Sequence, residues 1–506
     1  VAEMSGSLTN DWIYFFVFVL LIGFLLTISD LLLKRLHVNP HTTRRVVHIL
    51  VGIYVIFTPY IFLTSTPILV LALIFIILNY LGVRYSMLPG IHSTSRLTYG
   101  TVYFPLSFLI LVLWFWEKDP AILITAMLIM ALGDPIASWV GESRKNPRSY
   151  RVWTDTKSFQ GSLAMFVIAY LMGVIGMYFG RLSLGGIADL GQIAFFSLFV
   201  AAYATMSETV SHQGTDNLTV PLGAGLMLDF MFHSETAMVH QLMLWMLITT
   251  AIAWLAYRMK TLSLSGAVGA WLLGTIVFGI GGTAWIIPMA AFFILSSLFS
   301  KLGKKHKEIL NKIFEKGSNR DFFQVYANGG IAGAATILYY FTGNELWFVA
   351  FLGSLAAATA DTWGTELGTF SKTMPRSILT FEPVAMGRSG GITVIGTGGA
   401  FLGALTIAAL GVYSFNGYNG HMAASVILLA AFSGFAGALV DSLLGATLQA
   451  HYRCPSCGKL TEKKSHCGID MIPHVQGLAW MNNDWVNLIC TVSGGLLAIV
   501  FYLLFF

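Results

Sequence analysis

The chain has 506 residues, of which 56% are hydrophobic and only 10% charged, and its mean hydropathy is +0.73. Soluble domains carry roughly 25% charged residues, so this composition excludes a water-soluble globular fold and describes an all-α polytopic membrane protein. The net charge of +5 sits in loops between apolar runs, a pattern that membrane topology explains without a nucleic-acid partner.

A helix needs about 20 apolar residues to cross the hydrocarbon core, and that criterion predicts about sixteen spans. They lie near residues 12–33, 46–63, 67–83, 101–116, 120–141, 159–180, 191–213, 218–233, 237–257, 264–281, 284–300, 323–342, 346–367, 390–412, 421–450 and 485–505. The first run is long and lacks a basic leader, so no cleavable signal peptide is expected. Basic residues cluster after the first span (Lys34, Arg35, Arg44, Arg45), the fifth (Arg144 to Lys157), the eleventh (Lys301 to Arg320) and the thirteenth (Lys372 to Arg388). These loops fall on one side, which the positive-inside rule makes cytoplasmic, with both termini outside. Within the third cluster Leu302, Ile309, Leu310, Ile313 and Phe314 recur at helical spacing, as in an amphipathic helix lying on an anionic leaflet.

Two polar cassettes interrupt this apolar chain. The first, Gly133 to Ser162, contains Gly133-Asp134-Pro135, Gly141, Pro147-Arg148-Ser149 and Lys157-Ser158-Phe159-Gln160-Gly161-Ser162. The second, Ala360 to Thr393, contains Ala360-Asp361-Thr362, Glu366, Gly368, Pro375-Arg376-Ser377 and Gly387-Arg388-Ser389-Gly390-Gly391. The fifth span of each half ends in its cassette, and the sixth begins at the cassette's Gly/Ser end. Downstream, Glu208 matches Asp441, and Asp216-Asn217 matches Asn483-Asp484. The expected architecture is therefore two parallel, related eight-helix modules, residues 1–235 and 236–506, with both cassettes facing the cytosol.

Each carboxylate at membrane depth costs about 2.5 to 3.5 kcal/mol, so Asp134, Glu208, Asp361, Glu366 and Asp441 must be paired, hydrated or metal-bound. Several acids with an Asn, beside Lys or Arg, suit Mg²⁺ held between protein oxygens and substrate phosphates. Lys157-Ser158 and Arg388-Ser389 open helices, where free backbone N–H groups favour an anion. No G-x-x-x-x-G-K-[ST] sequence occurs, so a P-loop is excluded. Taken without further context, the same acids also suit ion sites of a carrier or structural pairs with loop arginines. Gly396, Gly399 and Gly403 read as close helix contacts.

Cys454-x-x-Cys457 followed by His466-Cys467 has ligand types suited to a small structural Zn²⁺ knuckle in the loop 451–484, with reduced loop thiols as the alternative. A cytosolic loop argues against disulfides. Cys490 lies inside a span and reads as packing.

At these residues the chain resembles known families. The first half is similar to the dolichol kinase and phytol kinase family of CTP-dependent polyprenol kinases in Arg44-Arg45-Val46-Val47-His48, Gly133-Asp134-Pro135, Lys157 to Ser162, Glu208 and Asp216 to Leu222. Many such kinases carry Ala where this chain has Pro135. The second half resembles the phytyl phosphate kinase family in Gln324 to Gly329, Ala360 to Gly368, Gly387 to Thr393, Asp441 to Gly445 and Asn482-Asn483-Asp484. The resemblance implies a bifunctional kinase that converts a prenyl alcohol to its monophosphate and then to its diphosphate, with CTP or another nucleoside triphosphate and Mg²⁺. Assembly as a homodimer is left open.

Roles then follow from chemical need. Asp134 and Asp216 are expected to hold Mg²⁺ with Asn217 as a neutral ligand, Lys157 to neutralise the transferred phosphoryl group, and Glu208 to take the alcohol proton. A phosphate-monoester acceptor needs no base but more positive charge, for which Lys372, Arg376 and Arg388 are candidates. Asp361 and Asp441 are the metal candidates there, beside Glu366 and Asp484. Nucleotide contacts are expected from Arg44, Arg45, His48, Arg148, Ser158, Gly161 and Ser162 in the first half, and from Asn328, Arg376, Ser389, Gly390 and Asn483 in the second. Two rivals share these features: a phosphatidate cytidylyltransferase-like enzyme, and a secondary transporter with two pseudo-repeats.

Overall fold

The computed structural model describes residues 2–36, 40–85, 98–152, 155–302 and 319–506. The amphipathic segment expected at 301–316 therefore lies outside the described residues from 303 onward. The chain divides into two compact units, Val1–Glu235 and Thr236–Phe506.

The first unit comprises α1 (Ala2–Leu36), α2 (Pro40–Ile56), α3 (Thr66–Arg84), α4 (Gly100–Phe115), α5 (Pro120–Ser143), α6 (Phe159–Ser183), α7 (Leu190–Thr209) and α8 (Asp216–His233). Between α5 and α6 the chain forms an antiparallel hairpin, β1 (Ser149–Val152) with β2 (Asp155–Ser158), in register Tyr150 to Lys157. The second unit comprises α9 (Thr236–Arg258), α10 (Leu264–Gly274), α11 (Thr283–Leu302), α12 (Phe322–Thr342), α13 (Leu346–Gly368), α14 (Val394–Phe415), α15 (Gly420–Thr447) and α16 (Asn483–Phe505). A two-residue ladder, β3 (Arg376–Ser377) with β4 (Gly391–Ile392), sits between α13 and α14. Between α15 and α16, strands β5 (His451–Arg453), β6 (Leu460–Thr461) and β7 (His474–Gln476) form a sheet in the order β6-β5-β7.

Among the described residues, eleven helices are long and apolar enough to cross a membrane. Gly100–Phe115 and Leu264–Ile280 are apolar but shorter, and the latter ends in a π-helical turn, Thr275–Ile280. In α12 the length suffices, but Gln324, Asn328 and several glycines dilute the apolar character.

One helix is the core of each unit. In α5 and in α13, 72% of the apolar window is buried, against at most 50% in any other candidate span. Helix α5 packs against α2, α6 and α8, while α13 packs against α12, α14, α15 and α16. Small residues allow this, because lipid tails are as apolar as Leu and association rests on close backbone approach. A Cβ on Gly353 of α13 would lie 2.4 Å from the Gly494 carbonyl oxygen of α16, and a Cβ on Gly494 would lie 2.5 Å from that of Gly353. Backbone faces backbone on both sides, so neither helix has a side chain that can give way.

Gly353→Leu is therefore expected to lower stability by about 3 kcal/mol, at the upper end of overpacking costs, while Gly398→Ala, with nothing within 4 Å of its Cβ, is expected to be neutral or stabilising by up to ~1 kcal/mol. Thermal midpoints of the two variants in detergent check this. Equal midpoints would show that the α13–α16 contact is not the close one described.

Candidate active site

The first unit gathers its polar residues around a cavity of about 410 Å³. Helix α5 carries Asp134 into it two turns before the helix ends, and the β1–β2 hairpin returns Lys157 to the same space. Ser158 then caps α6, its Oγ accepting from Gly161 N at 3.1 Å. That cap lies against α5: a Cβ on Gly141 would be 2.8 Å from Ser158 Oγ, and one on Gly161 would be 3.0 Å from the Ala137 carbonyl oxygen. Two glycines thus let the start of α6 approach the end of α5, which puts Lys157 and Asp134 on one wall.

The end of α7 and the start of α8 supply the opposite wall. Glu208 is buried and receives the Lys157 ammonium on Oε1. Its second oxygen, Oε2, is buried without a partner. Lys157 Nζ also donates to Ser211 Oγ at 3.2 Å, and Ser211 Oγ lies 3.4 Å from Asp216 Oδ2. Asp216 Oδ1 accepts from both the backbone N–H and the side-chain amide of Asn217, each at 2.9 Å. The turn into α8 requires Gly214, whose φ of +88° is left-handed and whose Cβ would meet Gly100 N at 2.5 Å. Tyr99 N donates to Gln213 O at 3.0 Å, so this turn is held on the start of α4.

Lys157 shows how these groups act together. Burial alone would lower its pKa, yet the Glu208, Asp216 and Asp134 carboxylates hold the ammonium above its ordinary range. Asp134 lies within the electrostatic reach of Asp216, Lys157, Glu208 and Arg44. The cavity therefore sets acids around the half-buried Lys157, with Arg44 and Arg45 also in its lining, an arrangement of charge matched to a ligand that brings both metal and phosphate.

Helix α2 completes the rim. Arg44 Nη2 donates to Thr98 Oγ1 at 3.1 Å, Arg45 binds Glu142 and donates to Ser138 Oγ at 2.8 Å, and His48 Nε2 lies 3.3 Å from the Met130 carbonyl oxygen. Ser162 lines the cavity with its Oγ 2.5 Å from Tyr150 OH. Arg148 is exposed and does not belong to the lining.

A second, apolar cavity of about 120 Å³ adjoins the first. Ile22, Val47, Val51, Val55, Leu71, Phe75, Phe104 and Phe108 form its walls, and Arg44, His48 and Asn217 line both cavities. The polar chamber thus continues into a slot between α1, α2, α3 and α4.

The second unit repeats the local construction of the first. Asp361 precedes Gly368 by the same seven residues that separate Asp134 from Gly141. Thr393 caps α14 by accepting from Gly396 N at 3.0 Å, as Ser158 caps α6. A Cβ on Gly396 would be 2.8 Å from the Gly364 carbonyl oxygen, the counterpart of Ala137. Asp361 and Asp441 lie within electrostatic reach of each other, Glu366 acts on Asp361, Glu462 acts on Asp441, and Cys490 of α16 feels both aspartates. Asp484 is buried in the first turn of α16, whose cap Asn482 accepts from Asp484 N at 3.1 Å and Trp485 N at 3.2 Å.

Other expected residues of this half are engaged elsewhere. Ser389 Oγ donates to Glu462 Oε1 at 2.5 Å and lies 3.3 Å from His451 Nε2. Arg376 Nη1 donates to Phe381 O within its own turn at 2.9 Å, and Asn328 Nδ2 donates back to Gln324 O at 2.8 Å. Lys372 and Arg388 are exposed, and Asn483 is half-buried beside the cap. Gly390, with φ of +77°, packs on α15, where a Cβ would fall 2.4 Å from Ala446 Cβ. A different cation is drawn in: Arg320, the last of the third basic cluster, is within reach of Glu366, which only partly offsets the downward pull of burial on the guanidinium pKa. Glu366 Oε1 also accepts from Ser300 Oγ at 2.7 Å. Arg320 immediately precedes Asp321, the cap of α12, and in the sequence it is one more basic residue of the loop cluster.

Fold and site together define a polytopic helical membrane protein that collects buried acids and a cation at helix ends beside an apolar slot. Residues 247–495 match the model of the family described as Integral membrane protein DUF92. Protein PGR of Arabidopsis thaliana is 31% identical over 276 residues, 50% of this chain and 94% of that protein. An uncharacterized membrane protein of Methanocaldococcus jannaschii is 34% identical over 257 residues, 51% of this chain and 92% of its own length. The phytol kinase of Synechocystis sp. is 31% identical over 198 residues, 38% of this chain and 82% of that enzyme. The chain belongs to the phytol kinase-like family of integral membrane proteins. No solved structure matches it.

The Lys157–Glu208 pair is testable apart from catalysis. Lys157→Met leaves a buried carboxylate uncompensated and is expected to cost about 3 kcal/mol, whereas Lys157→Met with Glu208→Leu should regain most of that stability without regaining activity. Thermal midpoints in detergent decide. A single variant as stable as the parent would mean that the two charges do not depend on each other.

Proposed function

We propose that the chain is an integral membrane isoprenoid kinase whose first unit phosphorylates a prenyl alcohol and whose second unit phosphorylates the resulting monophosphate to the diphosphate. The observation that carries this reading is the polar cavity that continues, through Arg44, His48 and Asn217, into an apolar slot. A prenyl alcohol has that same division, a reactive hydroxyl on a hydrocarbon chain. Relatives named phytol kinase support the acceptor class. The matched crossings around Asp134 and Asp361 support two parallel modules of eight helices each, sixteen spans in all, with both cassettes on the cytosolic face where a nucleotide such as CTP is available.

In the first unit, Oε2 of Glu208 is the buried, partnerless oxygen suited to accept the alcohol proton. The alcohol oxygen bonds to the γ-phosphorus, the bond from that phosphorus to the bridging oxygen breaks, and a nucleoside diphosphate leaves. Lys157 neutralises charge on the transferred group. Asp134 and Asp216, with the Asn217 amide, are an oxygen donor set that fits Mg²⁺, which when bound would screen the phosphate charges. In the second unit the acceptor is already an anion, so no proton need be removed, and Asp361, Asp441 and Glu366 would serve the metal and nucleotide. The buried oxygen Asp441 Oδ2, which has no partner, supports this assignment.

The test is purified protein with labelled CTP, Mg²⁺, and a panel of prenols and prenyl monophosphates. Asp134→Asn should reduce alcohol phosphorylation by at least about 100-fold, the scale of losing transition-state charge stabilisation, and spare the second step. Asp361→Asn should let the monophosphate accumulate. A CDP-lipid as main product would sink the kinase reading, and loss of both steps in either folded variant would sink the two-site model.

The slot gives a separate expectation. Val51→Trp, which fills it, should raise the apparent KM for long prenols about tenfold or more, the effect of losing about 1.4 kcal/mol of apolar contact, and leave monophosphate phosphorylation unchanged. An unchanged KM for long prenols would place the lipid chain elsewhere.

A further inference from the structure

The geometry points to a Zn²⁺ centre formed by Cys454, Cys457, His466 and Cys467, which clamps the loop of the second cassette to the ends of α15 and α16. One ligand atom from each residue lies within 4.8 Å of all the others. Cys457 Sγ and Cys467 Sγ are 3.5 Å and 3.2 Å from His466 Nδ1. A tetrahedral ion with Zn–S near 2.3 Å separates its sulfur ligands by roughly 3.8 Å, so three thiolates and one imidazole need only small adjustments to close around it. The four are a complete structural ligand set, with no position left open for chemistry.

The backbone is bent to the same end. Gly458 N donates to Cys454 O at 2.8 Å, Cys454 N donates to Lys459 O at 3.0 Å, and Gly458 turns with φ of +70°. The second pair of ligands sits on a matching turn: His466 and Ile469 exchange backbone bonds at 3.0 Å, and Gly468 has φ of +76°. Two Cys-Gly turns thus face each other across the ligand cluster.

Packing alone gives little to hold this lobe. Its strands are two or three residues long, and its buried apolar cluster is Ala450, Tyr452, Cys454 and Ile472. Lobes with so small a core rely on a metal or disulfides, and metal-binding free energy then becomes folding free energy. An odd number of thiols beside a histidine suits a metal rather than disulfides.

The lobe is tied to the second site. Strand β6 leads into Glu462, whose Oε1 accepts from Ser389 Oγ in the cassette loop and whose charge reaches Asp441. At its base, Gln476 Nε2 donates to Ala446 O at 3.0 Å, and Ala450 N donates to Met481 O at 2.8 Å just ahead of Asn482 and Asp484. Holding Cys454 against His466 therefore fixes Glu462, Ser389 and the start of α16 together. Glu462 is a positioning residue in this scheme.

The full chain, purified in detergent under reducing conditions without added metal and then dialysed, should contain one zinc per chain by elemental analysis. After exchange into Co²⁺ it should show thiolate-to-cobalt absorption of a tetrahedral site. Cys457→Ser with Cys467→Ser should lose at least about tenfold of the zinc, beyond the loss expected for removing outer partners alone, whereas Cys490→Ser should keep it. Less than a tenth of an equivalent of zinc in the parent chain, with free thiols and no cobalt spectrum, would overturn the proposal without recourse to any variant. So would full zinc content in the double variant. The metal measurements stand whether or not the kinase reading holds. Resting on that reading, stripping zinc by chelation should slow phosphorylation of prenyl monophosphate and spare that of the alcohol; equal loss of both would remove the clamp role.

Discussion

Everything in this molecule depends on how carboxylates are accommodated on the most buried helix of a membrane bundle. Asp134 and Asp361 each belong to the core helix of their unit, where solvent is scarce and every charge needs an answering group. The solution in the first unit is to admit Lys157 on a hairpin that folds back over the end of α5. The glycine crossing at Gly141 and Gly161 makes that return possible, because a side chain at either position would push the cap of α6 away from α5. Packing and chemistry are the same constraint here: the close approach that stabilises the bundle in lipid also assembles the site.

Much of this was legible in the sequence. Apolar length located the helices, since hydrocarbon thickness leaves little freedom, and the repeated acid and glycine residues marked both cassettes; Ser158 caps α6 as expected, whereas the helix expected to open at Arg388-Ser389 begins after its cap Thr393. Contacts between distant segments were harder to read. Nothing local in Lys157 or Glu208 announces a pair across 51 positions, and Arg320 looked like one more loop cation until folding brought it within reach of Glu366. The apolar slot was hidden for a different reason. Its walls are Val, Leu, Ile and Phe, the residues of any membrane helix, and only their arrangement separates a cavity from a packed interface. Ser389 illustrates the converse error of local reading: a serine at a glycine-rich helix approach suggests an anion ligand, yet its hydroxyl serves Glu462.

The two units share a construction and differ in what surrounds it. In the first, the acids meet the half-buried Lys157 and the chamber runs on into hydrocarbon-lined space, a combination suited to drawing an uncharged hydroxyl from the bilayer and removing its proton. In the second, Ser389 is held by Glu462 and His451, and an extramembrane lobe braces the loop that carries it. On the proposed reading the acceptor here is already an anion and must approach a nucleotide against repulsion, which a braced loop would serve better than a soft one: each ångström of retreat weakens the counter-charge where the field is steepest. Lys372 and Arg388, exposed in the loop between α13 and α14, would on that reading answer an incoming phosphate without the cost of permanent burial, whereas Lys157 is half-buried against its buried partner Glu208. The same Asp-to-glycine crossing would thus support two electrostatic regimes, one with the balancing lysine held against a buried glutamate and one with the balancing charge met at the surface.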